Sequence, residues 1–227
     1  MRLPLAIRAA AFDLDGTLLD TLPDLAAAAQ RTLVDLGRPQ VESETVRRYI
    51  GDGVSRLVER LLAAHSHRAP AAPTLQRALA LFERNYRATL AQQTRPFPGV
   101  EEGLSQFLAV GLQLACVTNK TESFTLPLLE ATGLRGFFDL VVAGDTLARK
   151  KPDPLPLLYC AQQFGTQPAE LLMIGDSAQD TLCARAAGCP VFCVPYGYGA
   201  QQVRELDCDA IVPTIVEAAR LVTPVRS

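Results

Sequence analysis

Short, mostly apolar runs recur along the chain, each stopping at polar residues: Ile7 to Phe12, Leu114 to Val117, Leu140 to Ala143, Leu171 to Ile174, Val191 to Val194 and Ala210 to Val212. Runs of this length without alternation predict strands buried on both faces of a parallel sheet. Helical patterns lie between several of them, at Glu101–Val110, Leu155–Phe164 and Ala178–Ala187. Strand alternating with helix predicts an α/β fold.

One stretch departs from this rhythm. From Asp20 to Gln93 the pattern is helical, with no convincing strand. A first helix has Asp20 or Thr21 as its cap, Pro23 in its first turn, a stripe of Leu22, Leu25, Ala29, Leu33 and Leu36, and Gly37 as its stop. Ser43 is placed to cap a second, Val54 to Ala64 reads as a third and Thr74 to Ala91 as a fourth. His65 to Pro73 reads as a Pro/Ala-rich loop, and His65-Ser66-His67, without acidic neighbours, as solvated loop rather than a metal pair. The expected organisation is therefore a core of residues 1–19 and 96–227 with a helical insertion at 20–95. Its hinges would be Leu19-Asp20 and the Pro-rich Arg95 to Gly99.

The 227 residues are 48% hydrophobic and 20% charged with a net charge of −2, which fits a globular protein and not a basic nucleic-acid binder. No segment offers the roughly 18 apolar residues of a membrane span, and Leu3 to Ile7 lacks the features of a signal peptide, so a cytoplasmic protein is expected. The six cysteines form no Cys-x-x-Cys pair and read as reduced, buried side chains. Charge is uneven. Residues 20–95 hold 11 Arg, no Lys and 8 acidic residues (+3), leaving 11 basic and 16 acidic residues elsewhere (−5). An arginine-rich unit over an acidic core suits an anionic substrate bridged by a metal, although scattered solvated arginines give the same count.

The first strand runs into Asp13-Leu14-Asp15-Gly16-Thr17, and the strand at 171–174 into Gly175-Asp176-Ser177-Ala178-Gln179-Asp180. Ligands of open parallel sheets bind beyond the carboxyl ends of strands. Should these two strands adjoin, up to four carboxylates converge, an arrangement of like charges that calls for a hard divalent cation such as Mg²⁺. The remaining strand ends carry Thr118-Asn119-Lys120 and Lys150-Lys151-Pro152, which hold all three lysines of the chain. The clustering points to a compact positive charge wanted there, or to chance.

Together these motifs resemble those of haloacid dehalogenase superfamily phosphatases that carry a helical cap after the first motif, and the re-entry Phe97-Pro98-Gly99-Val100 matches as well. The resemblance implies a Rossmann-like parallel-sheet core with an all-helical cap. Asp13 would be the nucleophile, forming an aspartyl-phosphate, and Asp15 the acid and base. Thr118 and Asn119 would hold the phosphoryl group, Lys151 would balance its charge, and Asp180 would orient Lys151. Mg²⁺ would bind the Asp13 carboxylate, the Asp15 carbonyl and Asp176. The presence of Asp15 favours phosphoryl transfer over dehalogenation.

Asp20 to Leu25, Tyr49-Ile50-Gly51-Asp52-Gly53 and Ala186 to Pro190 are most similar to bacterial phosphoglycolate phosphatases, while Tyr196-Gly197-Tyr198-Gly199 is shorter than the run many of them have. The implied substrate is 2-phosphoglycolate, a small-molecule ester, with the oligomeric state, monomer or dimer, left open. Other capped phosphatases of sugars or nucleotides, a phosphoglucomutase-like enzyme or a non-catalytic relative are the alternatives. Gly51 and Gly53 would bring a cap loop close to phosphate or simply make a turn, and Arg48 or Arg56 would reach a substrate carboxylate.

Overall fold

The computed structural model describes residues 3–64, 68–199 and 203–225, so the 65–67 loop with both histidines lies outside the described residues. The chain begins with β1 (Leu5–Ile7), β2 (Ala9–Phe12) and β3 (Leu19–Asp20). Four helices follow: α1 (Leu22–Asp35), α2 (Ser43–Arg47), α3 (Val54–Ala63) and α4 (Ala72–Thr89). After β4 (Arg95–Pro96) come α5 (Val100–Ala109), β5 (Gln113–Val117), α6 (Glu122–Ala131), β6 (Leu140–Val142) and α7 (Leu155–Gln163). The remainder is β7 (Leu171–Gly175), α8 (Ala178–Ala187), β8 (Val191–Cys193), β9 (Ala210–Ile211), α9 (Ile215–Arg220) and β10 (Val222–Pro224).

Six strands form one parallel sheet in the order β6-β5-β2-β7-β8-β9. Its centre, the all-buried Ala9-Ala10-Ala11-Phe12, explains the unalternating runs, because helices cover both faces. Ala10 and Phe12 join Leu104 and Phe107 of α5, Leu128 of α6 and Ile215 of α9 on one side. Ala9 and Ala11 join Leu157 and Cys160 of α7 and Cys183 and Ala184 of α8 on the other.

The first apolar run is not one strand as expected from the sequence. It breaks at Arg8, whose side chain is half exposed and pairs with Glu170, and Leu5–Ile7 instead pairs in parallel with Val222–Pro224 in a separate two-stranded sheet. A long cation cannot be carried through the middle of a doubly covered strand without a buried partner. The fourth helix begins at Ala72, two residues earlier than expected, because Pro73 fits the first helical turn. All six cysteines are free and five are buried. Burial pushes the thiols of Cys160, Cys183 and Cys189 up to about 12, so they stay protonated and inert.

Helices α1 to α4 have a core of their own, built from Leu25, Leu33, Leu57, Leu61, Phe82 and Tyr86 among others, with Phe124 of α6 packed into it. The segments leading into and out of the helices are side by side, since β3 and β4 pair antiparallel, Leu19 with Pro96 and Asp20 with Arg95. Just inside that ribbon the buried Asp24 carboxylate accepts the backbone N–H of Gln93 (3.0 Å) and of Thr94 (2.9 Å) and the Thr94 hydroxyl (2.7 Å). Removing it orphans buried donors. Asp24→Ala is expected to lower stability in urea unfolding by about 2–3 kcal/mol, and Asp24→Asn, which keeps one accepting oxygen, by less.

Candidate active site

The sheet order places β2 between β5 and β7, and from β2 the chain fills first one side and then the other. This reversal opens a crevice at the carboxyl ends of the strands. Asp13 and Asp15 enter it after β2, Thr118, Asn119 and Lys120 after β5, Lys150 and Lys151 from the segment after β6, and Asp176 after β7. The strand-end motif residues thus meet at one crevice.

Lys151 is its electrostatic centre. The buried Nζ donates to Asp13 Oδ1 (2.7 Å), Asp180 Oδ1 (2.6 Å) and the Val117 carbonyl (2.7 Å), which uses all three of its N–H groups. Burial alone would lower its pKa, but Asp13 and Asp180 outweigh this and raise it. Asp180 is held in turn, its Oδ2 accepting Ser177 Oγ (2.7 Å) and N (3.0 Å) and Asp176 N (3.2 Å) at the start of α8. Of the adjacent lysines, Lys150 points elsewhere and donates to the Asp52 carbonyl at 2.8 Å.

Asp13, Asp176 and Asp180 each bring a carboxylate oxygen within 4.8 Å of the others, all buried. Burial pushes Asp13 well above the usual carboxylate range, with Asp180 and Asp176 adding to it and Lys151 opposing. Asp176 is pushed up to about 7, by burial and then by Asp180. Asp180 is committed to Lys151 and its helix, whereas Asp13 Oδ2 and the Asp15 carbonyl accept no hydrogen bond among the described residues. Asp176 Oδ2 takes the N–H of Tyr198 (2.6 Å) and Gly199 (3.1 Å), and Oδ1 only a long bond from Thr17 (3.3 Å). Oxygens left free on Asp13 and Asp15 and weakly bonded on Asp176, all hard ligands, fit a divalent cation.

The opposite wall suits an anion. Asn119 N, Leu14 N and Asp15 N have no acceptor among the described residues, and the Thr118 hydroxyl stands beside them, bonded only to Lys120 N at 3.2 Å. The Asp15 carboxylate is fixed by Thr21 Oγ1 (2.6 Å) and Lys120 Nζ (3.1 Å).

The helical unit closes over this crevice. Asn119 Nδ2 donates to the Gly51 carbonyl (2.9 Å), and Gln179 Nε2 to Asp52 Oδ1 (2.5 Å). Gly53, at φ +89°, sits where a Cβ would meet Lys150 Nζ at 2.7 Å and the Asn119 carbonyl at 3.1 Å, so it serves a close approach. Gly51, at φ +115° with open space around it, serves a turn. A small cavity here has a volume of about 30 Å³, with Asp13, Asp15, Thr118, Asn119 and Lys120 below and Leu25, Ile50, Val54 and Leu57 above. The two cap arginines suggested by the sequence are not in it. Arg56 is exposed and paired with Glu59 (2.6 Å), and Arg48 bonds Thr45 (3.2 Å) beside an outer cavity.

Two residues escaped the sequence reading. The Tyr198 hydroxyl accepts the N–H of Thr21 (2.7 Å) and Leu22 (2.8 Å) and donates to Asp20 (3.0 Å), tying the loop that holds Asp176 to the start of α1. Thr21 therefore does not cap its helix with its side chain, which is turned to Asp15. Tyr86 of α4 meets Lys120 (3.1 Å). The position of Tyr198 after a strand end was a usable signal; nothing local marks Tyr86, which reads as a core aromatic.

Residues 10–194 match the model of the haloacid dehalogenase-like hydrolase family. A phosphoglycolate phosphatase of Thiobacillus denitrificans is 54% identical over 97% of both chains, and one of Nitrosospira multiformis 53% identical over 98% of both. Among solved structures, a "predicted phosphoglycolate phosphatase" from Haemophilus somnus superposes with a TM-score of 0.87 at 32% identity, covering 92% of this chain and 95% of that one.

The raised pKa of Asp176, about 7 against 3.8, has a thermal signature. Without a cation the folded state keeps a proton that the unfolded chain releases above about pH 4, so stability falls as pH rises and the loss is complete above about pH 7. In chelator the melting temperature is expected to be lower at pH 8 than at pH 5, and added Mg²⁺ to raise it more at pH 8, where no proton competes. Melts at the two pH values check both.

Proposed function

The chain belongs to the haloacid dehalogenase-like hydrolase family, and on that footing we propose that it is a Mg²⁺-dependent phosphatase that hydrolyses 2-phosphoglycolate to glycolate. The observation that carries this reading is the pair Asp13 and Asp15 at one small cavity, the first bonded to Lys151 and the second to Thr21 and Lys120.

A carboxylate oxygen of Asp13 attacks phosphorus in line to give the aspartyl-phosphate, while Asp15 protonates the leaving alkoxide. Asp15 then takes a proton from the water that cleaves the acyl-phosphate, so one carboxylate serves both half-reactions. The Thr118 hydroxyl and the Asn119 N–H hold the phosphoryl oxygens as charge spreads over them. Lys151 balances that charge from the Asp13 side, and Asp180 keeps it aimed. A Mg²⁺ ion held by the Asp13 carboxylate, the Asp15 carbonyl and Asp176 would neutralise phosphoryl charge and keep Asp13 ionised.

Residues 20–95 act as a cap in this reading, hinged at the β3–β4 ribbon, that excludes water during phosphoryl transfer. The names of the relatives support the substrate. No nucleic-acid or membrane partner is invoked, and no helix among the described residues is long and apolar enough to cross a membrane.

Phosphate release from 2-phosphoglycolate, glucose phosphates, nucleoside monophosphates and pyrophosphate tests this. Phosphoglycolate is expected to lead by several hundred-fold and EDTA to abolish turnover; a different winner overturns the substrate, and turnover in EDTA the metal. Asp13→Asn is expected to remain folded and lose at least about 1,000-fold in rate, with Asp15→Asn and Lys151→Ala losing roughly 100- to 1,000-fold.

A further inference from the structure

With both suggested arginines outside the cavity, a substrate carboxylate needs another partner. Among the residues that line the small cavity at Asp13 and Asp15, Lys120 is the one cation. The cap contributes only apolar side chains and glycines to that lining, so it supplies walls and no charge. Of the other cations nearby, Lys151 is committed to Asp13, Asp180 and Val117, and Lys150 and Arg60 to Asp52, while Arg47 and Arg48 line a separate outer cavity.

Lys120 is buried, with its Nζ 3.1 Å from Asp15 Oδ2 and 3.1 Å from the Tyr86 hydroxyl, and 4.8 Å from the centre of the Tyr86 ring. An ammonium has three N–H donors. The third has no acceptor among the described residues. Burial would lower its pKa, but Asp15 and then Tyr86 raise it, so the charge is permanent. Tyr86 is itself fixed, fully buried and packed on Phe124 (4.9 Å between ring centres) and Phe82 (5.9 Å). The cation is therefore aimed before any ligand arrives, and little side-chain entropy remains to be lost on binding.

We propose that Lys120, held by Tyr86 of the cap, recognises the carboxylate of the substrate's leaving group. The geometry is that of an α-oxy acid. Asp15 meets the ester oxygen, Lys120 stands one hydrogen bond beyond Asp15, and in glycolate the carboxylate is one methylene from that oxygen. This inference rests on the phosphatase reading above, with Asp15 as the group facing the leaving oxygen.

The test compares kcat/KM for 2-phosphoglycolate and for 2-hydroxyethyl phosphate, which has the same skeleton without the carboxylate, in wild type, Lys120→Met and Tyr86→Phe. Any effect of Lys120 on Asp15 is common to both esters and cancels in the ratio. Wild type is expected to prefer phosphoglycolate by on the order of 100-fold or more, and Lys120→Met to bring the ratio near one. Tyr86→Phe, which keeps the charge and the packing but loses the tether, is expected to lower the ratio by about 3- to 10-fold, mainly through KM. A ratio unchanged in Lys120→Met overturns the proposal, as does one unchanged in Tyr86→Phe should Lys120→Met not fold. A wild type without preference overturns the substrate reading instead, so the two failures are distinct.

Discussion

Gathering carboxylates in a place without water is the constraint around which the rest of the structure is arranged. Asp13, Asp176 and Asp180 lie within a few ångströms of one another at the carboxyl end of a buried sheet. Burial favours their protonated forms and mutual repulsion adds to it. The chain answers with the fully bonded ammonium of Lys151, with backbone N–H groups from Tyr198 and Gly199, and with unbonded oxygens that suit a divalent ion. The same imbalance that is costly in the resting protein leaves the crevice with the charges that the proposed cation and phosphate would balance.

The parts that carry no chemistry are explained by what they hold. The polyalanine centre of β2 brings helices onto both faces of the sheet, which leaves the strand ends as the outlet for polar groups. The capping carboxylate of α8 is also the support of Lys151, so the helix start and the charge balance are one feature. Contacts between core and cap converge on the same few loops: Asn119 on Gly51, Lys150 and Gln179 on Asp52, Lys120 on Tyr86, and Tyr198 on the first residues of α1. The helices of residues 22–89 therefore complete the wall around Asp15 and do more than cover it.

All three lysines of the chain make hydrogen bonds in these loops, Lys120 to Tyr86, Lys150 to the Asp52 backbone and Lys151 to Asp13 and Asp180. Arginines are spread over the cap, and several of them, such as Arg56 with Glu59 and Arg84 with Asp35, pair at its surface. A compact ammonium fits an enclosed site among carboxylates better than a planar guanidinium does. The clustering first visible in the sequence is in this sense structural, and chance is not needed to explain it.

The sequence by itself determined the α/β alternation, the placement of Asp13, Asp15, Asp176 and Thr118 at strand ends, and the helical character of 20–95, because periodicity and strand-end polarity are local properties. It did not determine the break at Arg8 or the pairing of Leu5–Ile7 with Val222–Pro224, since a strand's partner is set by chain segments far away. Nor did it identify which cations enter the cavity. Arg56 on α3 and Arg48 just after α2 sit at positions that look suitable, yet neither lines the small cavity at Asp15, while Lys120 and Tyr86 meet from segments 34 residues apart. That meeting exists only once α4 packs on α6 and the cap rests on the core. Tertiary packing decided it because a buried charge is placed by whatever surrounds it in space, and neighbours in sequence have little say.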